Sequence, residues 1–221
     1  MKKEIREIGP FKQIHFKDFG DLILIQGDQE SLTIEAEEEI LSELTAEVRD
    51  DKLILGIEDD WFSRLGKMIS SVFTSTDYKV VYTLTFVDLE KIQISGKCNL
   101  ECDSVKVDDL SLRVSGLGNL RFAHLDCDFL DIVISGRGEF SAAGRADQQQ
   151  VRISGSGEYE APHLSSQSVQ IVISGQGKAT LRVAESLDIT ISGLGQINYY
   201  GQPKIRQVIS GVGKSNRLSD G

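Results

Sequence analysis

Seven serines stand directly before glycines, at Ser95, Ser115, Ser135, Ser154, Ser174, Ser192 and Ser210. A hydroxyl is the first group to consider as a nucleophile, but a catalytic serine needs one unique environment with a base and an orienting acid. The same residue repeated at one place in every repeat reads instead as a structural ladder. The Gly-x-Gly that follows resembles part of a phosphate cradle, yet such a cradle opens a helix and no helical pattern follows here.

Carboxylates are the other candidates for chemistry. Asp103, Asp108, Asp109, Asp126, Asp128 and Asp131 cluster in the first repeats, and Glu139 and Glu158 are neighbours in one repeat column, followed by Lys178. A glycosidase sets two acids about 5 to 9.5 Å apart in a cleft, with their pKa values driven apart. Ladder proximity supplies only the spacing, so Asp126, Asp128, Asp131, Glu139 and Glu158 are read as surface binding residues, and no catalytic, cofactor or metal residue is assigned. The glycine-aspartate nonapeptide that binds calcium in other solenoids is absent. His124 and His163 fall in one column with Gly144 between them, about 9.6 Å apart in a regular stack and too far to share a zinc. Cys102 falls in an inward column and Cys98 at a corner, which reads as buried apolar filler for the pair.

The elements that position these residues come from the repeat. Intervals between the glycines after the serines are 20, 20, 19, 20, 18 and 18 residues. Two residues before each glycine stand Ile94, Val114, Ile134, Ile153, Ile173, Ile191 and Ile209, and four before it Ile92, Leu112, Ile132, Val151, Ile171, Ile189 and Gln207. The residues between them are mixed or polar, as a half-buried strand of period two requires. A second strand follows the corner, with Leu100, Leu120, Phe140, Tyr159, Ala179 and Ile197 inward at four residues past the glycine and Cys102, Phe122, Ala142, Ala161, Leu181 and Tyr199 at six. One repeat cannot bury its own apolar face, but coils stacked about 4.8 Å apart share one core. The fold class is therefore all-β, a single-stranded right-handed β-helix with coils of about 18–20 residues. Glycine takes positive φ freely, so paired glycines around one variable residue suit a sharp corner. Cys98 replaces the second glycine of the first repeat and predicts a different corner there. Gln207 and Arg217 in apolar columns predict a polar final coil.

Residues 91–221 form the regular β-helix in this reading, and residues 1–90 a leading β lobe continuous with it. Strands are predicted around Ile23 and Ile25, over Ser31 to Ala36, around Leu53 to Ile57, and over Lys79 to Phe86, with a short helix in Glu38 to Leu44. A longer amphipathic helix is predicted from Asp60 through Phe73, where Trp61, Phe62, Leu65, Met68, Ile69, Val72 and Phe73 recur at helical spacing. Its stripe is expected to pack over an end or side of the β-helix.

Composition bounds the partners. A formal net charge of -10 over 221 residues argues against a nucleic-acid groove or a patch for anionic membranes. No stretch reaches the apolar length of a membrane span. Three cysteines make no disulfide framework. The first residues lack the apolar run of a secretory signal, which leaves the cytoplasm as one expected compartment.

The repeated Ile-Ser-Gly-x-Gly coils are preceded by Gly9-Pro-Phe-Lys-Gln-Ile, Leu22-Ile-Leu-Ile-Gln-Gly, Leu32-Thr-Ile-Glu-Ala and Asp51-Lys-Leu-Ile-Leu. From about Ile8 to Val212 this ordered series resembles the auto-transporter adhesin family called the head GIN domain. The resemblance implies a right-handed β-helix with a shorter leading lobe, export to the bacterial envelope or surface, and an adhesive role without catalytic residues. The expected function is a non-enzymatic envelope or adhesion-type module that binds a protein or glycan. The alternatives are a glycan-binding or glycan-cleaving protein that uses its surface carboxylates, and a scaffold that self-assembles through its coil ends as a homo-oligomer.

Overall fold

The computed structural model describes residues 1–57 and 79–219. The helix predicted from Asp60 through Phe73 lies outside the described residues. In chain order the N-terminal part gives β1 (Lys2–Arg6), β2 (Gln13–Phe16), β3 (Phe19–Gln26), β4 (Ser31–Ala36), α1 (Glu38–Leu41), β5 (Leu44–Arg49), β6 (Lys52–Ile57) and β7 (Val81–Phe86). The repeats give β8 (Lys91–Ile94), β9 (Lys97–Cys102), β10 (Val105–Lys106), β11 (Asp109–Val114), β12 (Leu117–Ile134) and β13 (Arg137–Ile153). They continue through β14 (Ser156–Ser165), β15 (Ser168–Ile173), β16 (Gln176–Arg182), β17 (Ser186–Ile191), β18 (Leu194–Tyr200), β19 (Lys204–Ile209) and β20 (Val212–Arg217).

These strands stack in parallel as a β-solenoid. Strands that end in Ser-Gly form a first face, with β8, β11 and the end of β12 in register through Ile94, Val114 and Ile134. Strands that begin after the corner form a second face, where Leu117 pairs with Lys97 and with Arg137. A narrower third face joins them, with Val105 opposite Leu125 and Leu125 opposite Gly144. Both repeat columns point inward as their period requires: Ile94, Val114, Ile134, Ile153, Ile173 and Ile191 are all buried, and so are Leu100, Leu120, Phe140, Tyr159, Ala179 and Ile197. Each such side chain contributes on the order of 1.5–3 kcal/mol through burial. Aromatic rings line part of the interior, with Phe140 stacked on Tyr159 at 5.1 Å and tilted against Phe122 at 5.9 Å. The Tyr159 hydroxyl reaches the carbonyl of Gln149, whose amide donates to Ser166, so this buried polar trio is mutually satisfied.

The corners work differently from the sequence expectation. Positive φ among glycines occurs only at Gly20, Gly144 and Gly201 of the described residues, and at none of the corner glycines. What the first glycine of each pair provides is close approach. A Cβ on Gly116 would lie 2.1 Å from the carbonyl oxygen of Gly96, and one on Gly155 would lie 2.0 Å from that of Gly136. The second glycine faces inward, where a Cβ on Gly157 would meet Ile153 Cγ2 at 3.1 Å. Cys98 does not make a different corner: it pairs in register with Gly118 and Gly20, and its side chain is buried.

Register shifts between Phe122 and Leu125 in the β12–β13 pairing and between Ser141 and Ala143 in the β13–β14 pairing displace the third face. His163 lies opposite Ala143, not Gly144, and Gly144 lies between Leu125 and Leu164. Both His124 and His163 are exposed.

At the N-terminal end the rung order departs from chain order. The β2–β3 rung is sandwiched, with β8 and β9 on one side and β6 and β7 on the other. Antiparallel strands close the outer side: β5 on β6, β4 on β7, and β1 on β4. Between β4 and β5, α1 turns Ile40 and Leu41 into the core end. At the opposite end every residue of β19 is exposed, and the Ser215 hydroxyl donates to Gln207 at 2.7 Å across columns that are apolar elsewhere.

Candidate functional site

The five carboxylates picked out as surface binding residues sit on three faces. On the third face Arg145 is a hub. Its Nε donates to Asp126 Oδ1 at 2.9 Å, and its terminal nitrogens lie 3.1 Å from Asp128 Oδ1 and 2.6 Å from Asp147 Oδ2. These carboxylates hold the guanidinium above its ordinary pKa. On the first face Asp131 takes Arg113 and, at 3.1 Å, Arg152. On the second face Glu139 and Glu158 stand opposite each other in the ladder. Lys178 Nζ lies 2.7 Å from Glu158 and 3.2 Å from Glu160. That hydrogen bond lowers the Glu158 pKa, the opposite of what a general acid needs.

Two corner serines reach backbone carbonyls of the neighbouring rung. Ser115 Oγ donates to the Ile94 carbonyl at 3.3 Å, and Ser135 Oγ to that of Val114 at 3.4 Å. Ser95 differs, because its Oγ lies 2.8 Å from Nε2 of His15. Burial, then the charges of Lys17, Lys52 and Lys91, lower the His15 pKa. Among the described residues no carboxylate hydrogen-bonds this imidazole to orient it, so the pair lacks the third member of a triad. Cys98, Cys102 and Cys127 are free and buried, and burial raises their thiols, Cys102 to about 11 and Cys127 to about 12. Such thiols are neither nucleophiles nor ready metal ligands at neutral pH. Among the described residues no three His, Cys, Asp or Glu side chains converge as a metal site would need.

The best-formed concavity lies on the second face. It is a groove of about 510 Å³ walled by Asp21, Asn99, Glu101, Asn119, Arg121 and Glu139. Its polar wall is built by the rung spacing: Asn99 Nδ2 donates to Asp21 Oδ1 at 3.0 Å, and Asn119 Nδ2 to Asn99 Oδ1 at 3.2 Å. A second, shallower groove of about 390 Å³ continues past Glu139 to Glu158 and Lys178. Sequence reasoning found Glu139 and Glu158 in this column but missed Asp21, Asn99 and Asn119. Asn99 and Asn119 stand three residues past their glycines, as Glu139 does, so the repeat alignment carried the signal for them. Asp21 belongs to a rung with no Ser-Gly mark.

Residues 10–203 match the family model described as "Putative auto-transporter adhesin, head GIN domain". The chain belongs to this family. Solved structures repeat the head GIN architecture over almost the whole chain. One, described as a "putative adhesin" from Bacteroides fragilis, is similar at 24% identity and a TM-score of 0.88, covering 98% of this chain and 96% of that one. Another "putative adhesin", from Parabacteroides merdae, is 22% identical with a TM-score of 0.73, covering 98% and 95%. A third, from Parabacteroides distasonis and described as a "putative lipid binding protein", is 20% identical with a TM-score of 0.71, covering 98% and 96%. At these identities the likeness concerns the fold alone. No curated protein matches this head GIN chain.

Proposed function

We propose that this chain is a non-enzymatic, adhesion-type binding module of the cell envelope or surface, and that it grips its ligand along the second face. The observation that carries this reading is the groove bounded by Asp21, Asn99, Asn119 and Glu139, where amides and carboxylates repeat at rung spacing on a rigid sheet. Amide and carboxylate groups so arranged suit sugar hydroxyls or the backbone of an extended peptide, because both present alternating donors and acceptors. Family membership agrees with an adhesive role. The carboxylates on the other faces are bound up with arginines and serve the fold's own electrostatics.

Binding to immobilised glycans and matrix proteins tests the assignment. Asn119→Ala with Glu139→Ala is expected to weaken capture about tenfold, in line with the loss of one or two hydrogen bonds to charged or polar partners. Asp126→Ala, on the third face, is expected to leave capture unchanged. Equal loss in both variants would remove the second face from the binding role, and turnover of any captured glycan would overturn the non-enzymatic reading.

A further inference from the structure

The first face presents a different chemistry, close to the N-terminal end. Three rows of outward residues run across its rungs. Lys52, Gln13 and Lys91 share one row, and Ile54, His15 and Gln93 the next. The ladder carries on past β2 into a row with Gly56, Lys17 and Ser95. Rungs about 4.8 Å apart place the Lys52 and Lys91 backbones roughly 9.6 Å from each other, with the His15 row beside the gap. Four-carbon stems let both ammonium groups extend toward the imidazole, whose proton their charges disfavour.

Gly56, in the row of Lys17 and Ser95, is bare, and a Cβ built on it would come into ordinary contact with Lys17 Cβ at 3.6 Å and Thr45 Oγ1 at 3.7 Å. Among the described residues no ion pair neutralises these lysines, although the chain as a whole carries -10. Several of the surrounding acids are committed elsewhere. Glu90 and Asp88 hold Lys12 at 2.8 and 3.0 Å, Asp131 holds Arg113 and Arg152, and Glu47 on β5 holds Arg49. Among the described residues Lys17, Lys52 and Lys91 have no carboxylate partner. Three positive charges beside a half-buried imidazole are an uncompensated cost unless an anion joins them.

We infer that His15, Lys17, Lys52, Lys91 and Ser95 form an anion-binding site that takes a phosphate group. A single carboxylate carries one charge and a planar pair of acceptors. A phosphate group offers more acceptor oxygens in a tetrahedral spread, which matches ammonium donors arriving from three directions together with a hydroxyl. The depressed basicity of His15 agrees with this geometry, since the same three lysines that disfavour its proton would favour an anion. The site lies on a different face from the groove assigned to adhesion, and neither depends on the other.

Histidine titration by NMR of the whole chain reads the site directly, because only His15, His124 and His163 contribute imidazole signals. Inorganic phosphate at millimolar concentration is expected to raise the His15 midpoint while leaving His124 and His163 in place. Lys52→Gln with Lys91→Gln is expected to weaken phosphate binding roughly 30-fold, about five- to sixfold for each surface lysine lost. The same double variant, without phosphate, should show a raised His15 midpoint, while amide chemical-shift dispersion equal to the parent's shows that it has folded. Sedimentation with vesicles of phosphatidylglycerol, compared with phosphatidylcholine, then locates the phosphate. Sedimentation that the double variant loses places the group on a lipid headgroup, and an NMR response without sedimentation places it on a soluble molecule. The inference is overturned if phosphate shifts no histidine, shifts all three alike, or binds the double variant as tightly as the parent.

Discussion

A methyl group added at Gly155 would sit 2.0 Å from the Gly136 carbonyl oxygen, inside the backbone of the rung below. Neither rung can yield without breaking its ladder, so Gly155→Ala is expected to cost about 3 kcal/mol or more. Gly157→Ala meets only Ile153 and Ile134 side-chain carbons at 3.1 to 3.3 Å, and those can rotate aside. Its expected cost is about 1–2 kcal/mol. Urea unfolding midpoints of the two variants check the contrast, and equal losses would remove the close-approach explanation. Asp18 is the second residue whose role only packing reveals. It is buried, accepts the Tyr82 hydroxyl, and takes the Phe19 amide at 2.7 Å. Burial raises its pKa despite those hydrogen bonds. The native chain therefore binds this proton more tightly than the unfolded chain. Its contribution to stability is complete below the unfolded pKa and is lost as pH rises through the folded one. Asp18→Asn removes that loss, so its stability relative to the parent is expected to improve from acid to neutral pH in parallel thermal melts. The recurrence of Ser-Gly was legible in the sequence, whereas the atom each glycine abuts was not, because that atom belongs to a rung about 20 residues away.

Strands were the most legible elements, since inward and outward residues alternate wherever one side is dry. Ser31–Ala36 and Val81–Phe86 emerge as expected, and Tyr82, Leu84 and Phe86 set the inward phase of β7. In β3 the pattern misleads. Leu22 and Leu24 are buried, while Ile23 and Ile25 remain 37% and 46% exposed, so apolar type alone does not give the phase of an all-apolar run. Rung order was illegible for a related reason: alternation tells which side of a strand is buried but not which strand lies next to it. That is how β2–β3 comes to lie between β6–β7 and β8–β9 without any sequence mark. The element that closes this end, α1, is too short to persist alone and is held by Ile40 and Leu41. Ile40→Ala is expected to destabilise the chain by about 2–5 kcal/mol, read as a shifted unfolding midpoint. The cysteine-bearing strands offer a companion measurement. Cys98, Cys102 and Cys127 should resist a thiol reagent in the native state and react once urea opens the coils; fast native labelling would show that the coil carrying the labelled cysteine opens locally.

The whole molecule has two unlike ends. Outer residues of the N-terminal cap are held by reversed strands and a helix, whereas among the described residues β20 pairs only with β18, and β19 only with β17. This asymmetry sets how the fold yields under tension. A pull on the C-terminus meets one line of hydrogen bonds at a time, so the last coils unzip, each paying out roughly 60 Å of chain for 18 residues. A pull on the N-terminus first strips β1 from β4, and then the load reaches a rung clamped on both sides. Optical-tweezer traces are expected to begin with small steps from the C-terminal coils before any large rupture; a single abrupt opening would contradict this. Under load such a stack lengthens gradually from its last coil, while the clamped rungs at the opposite end hold.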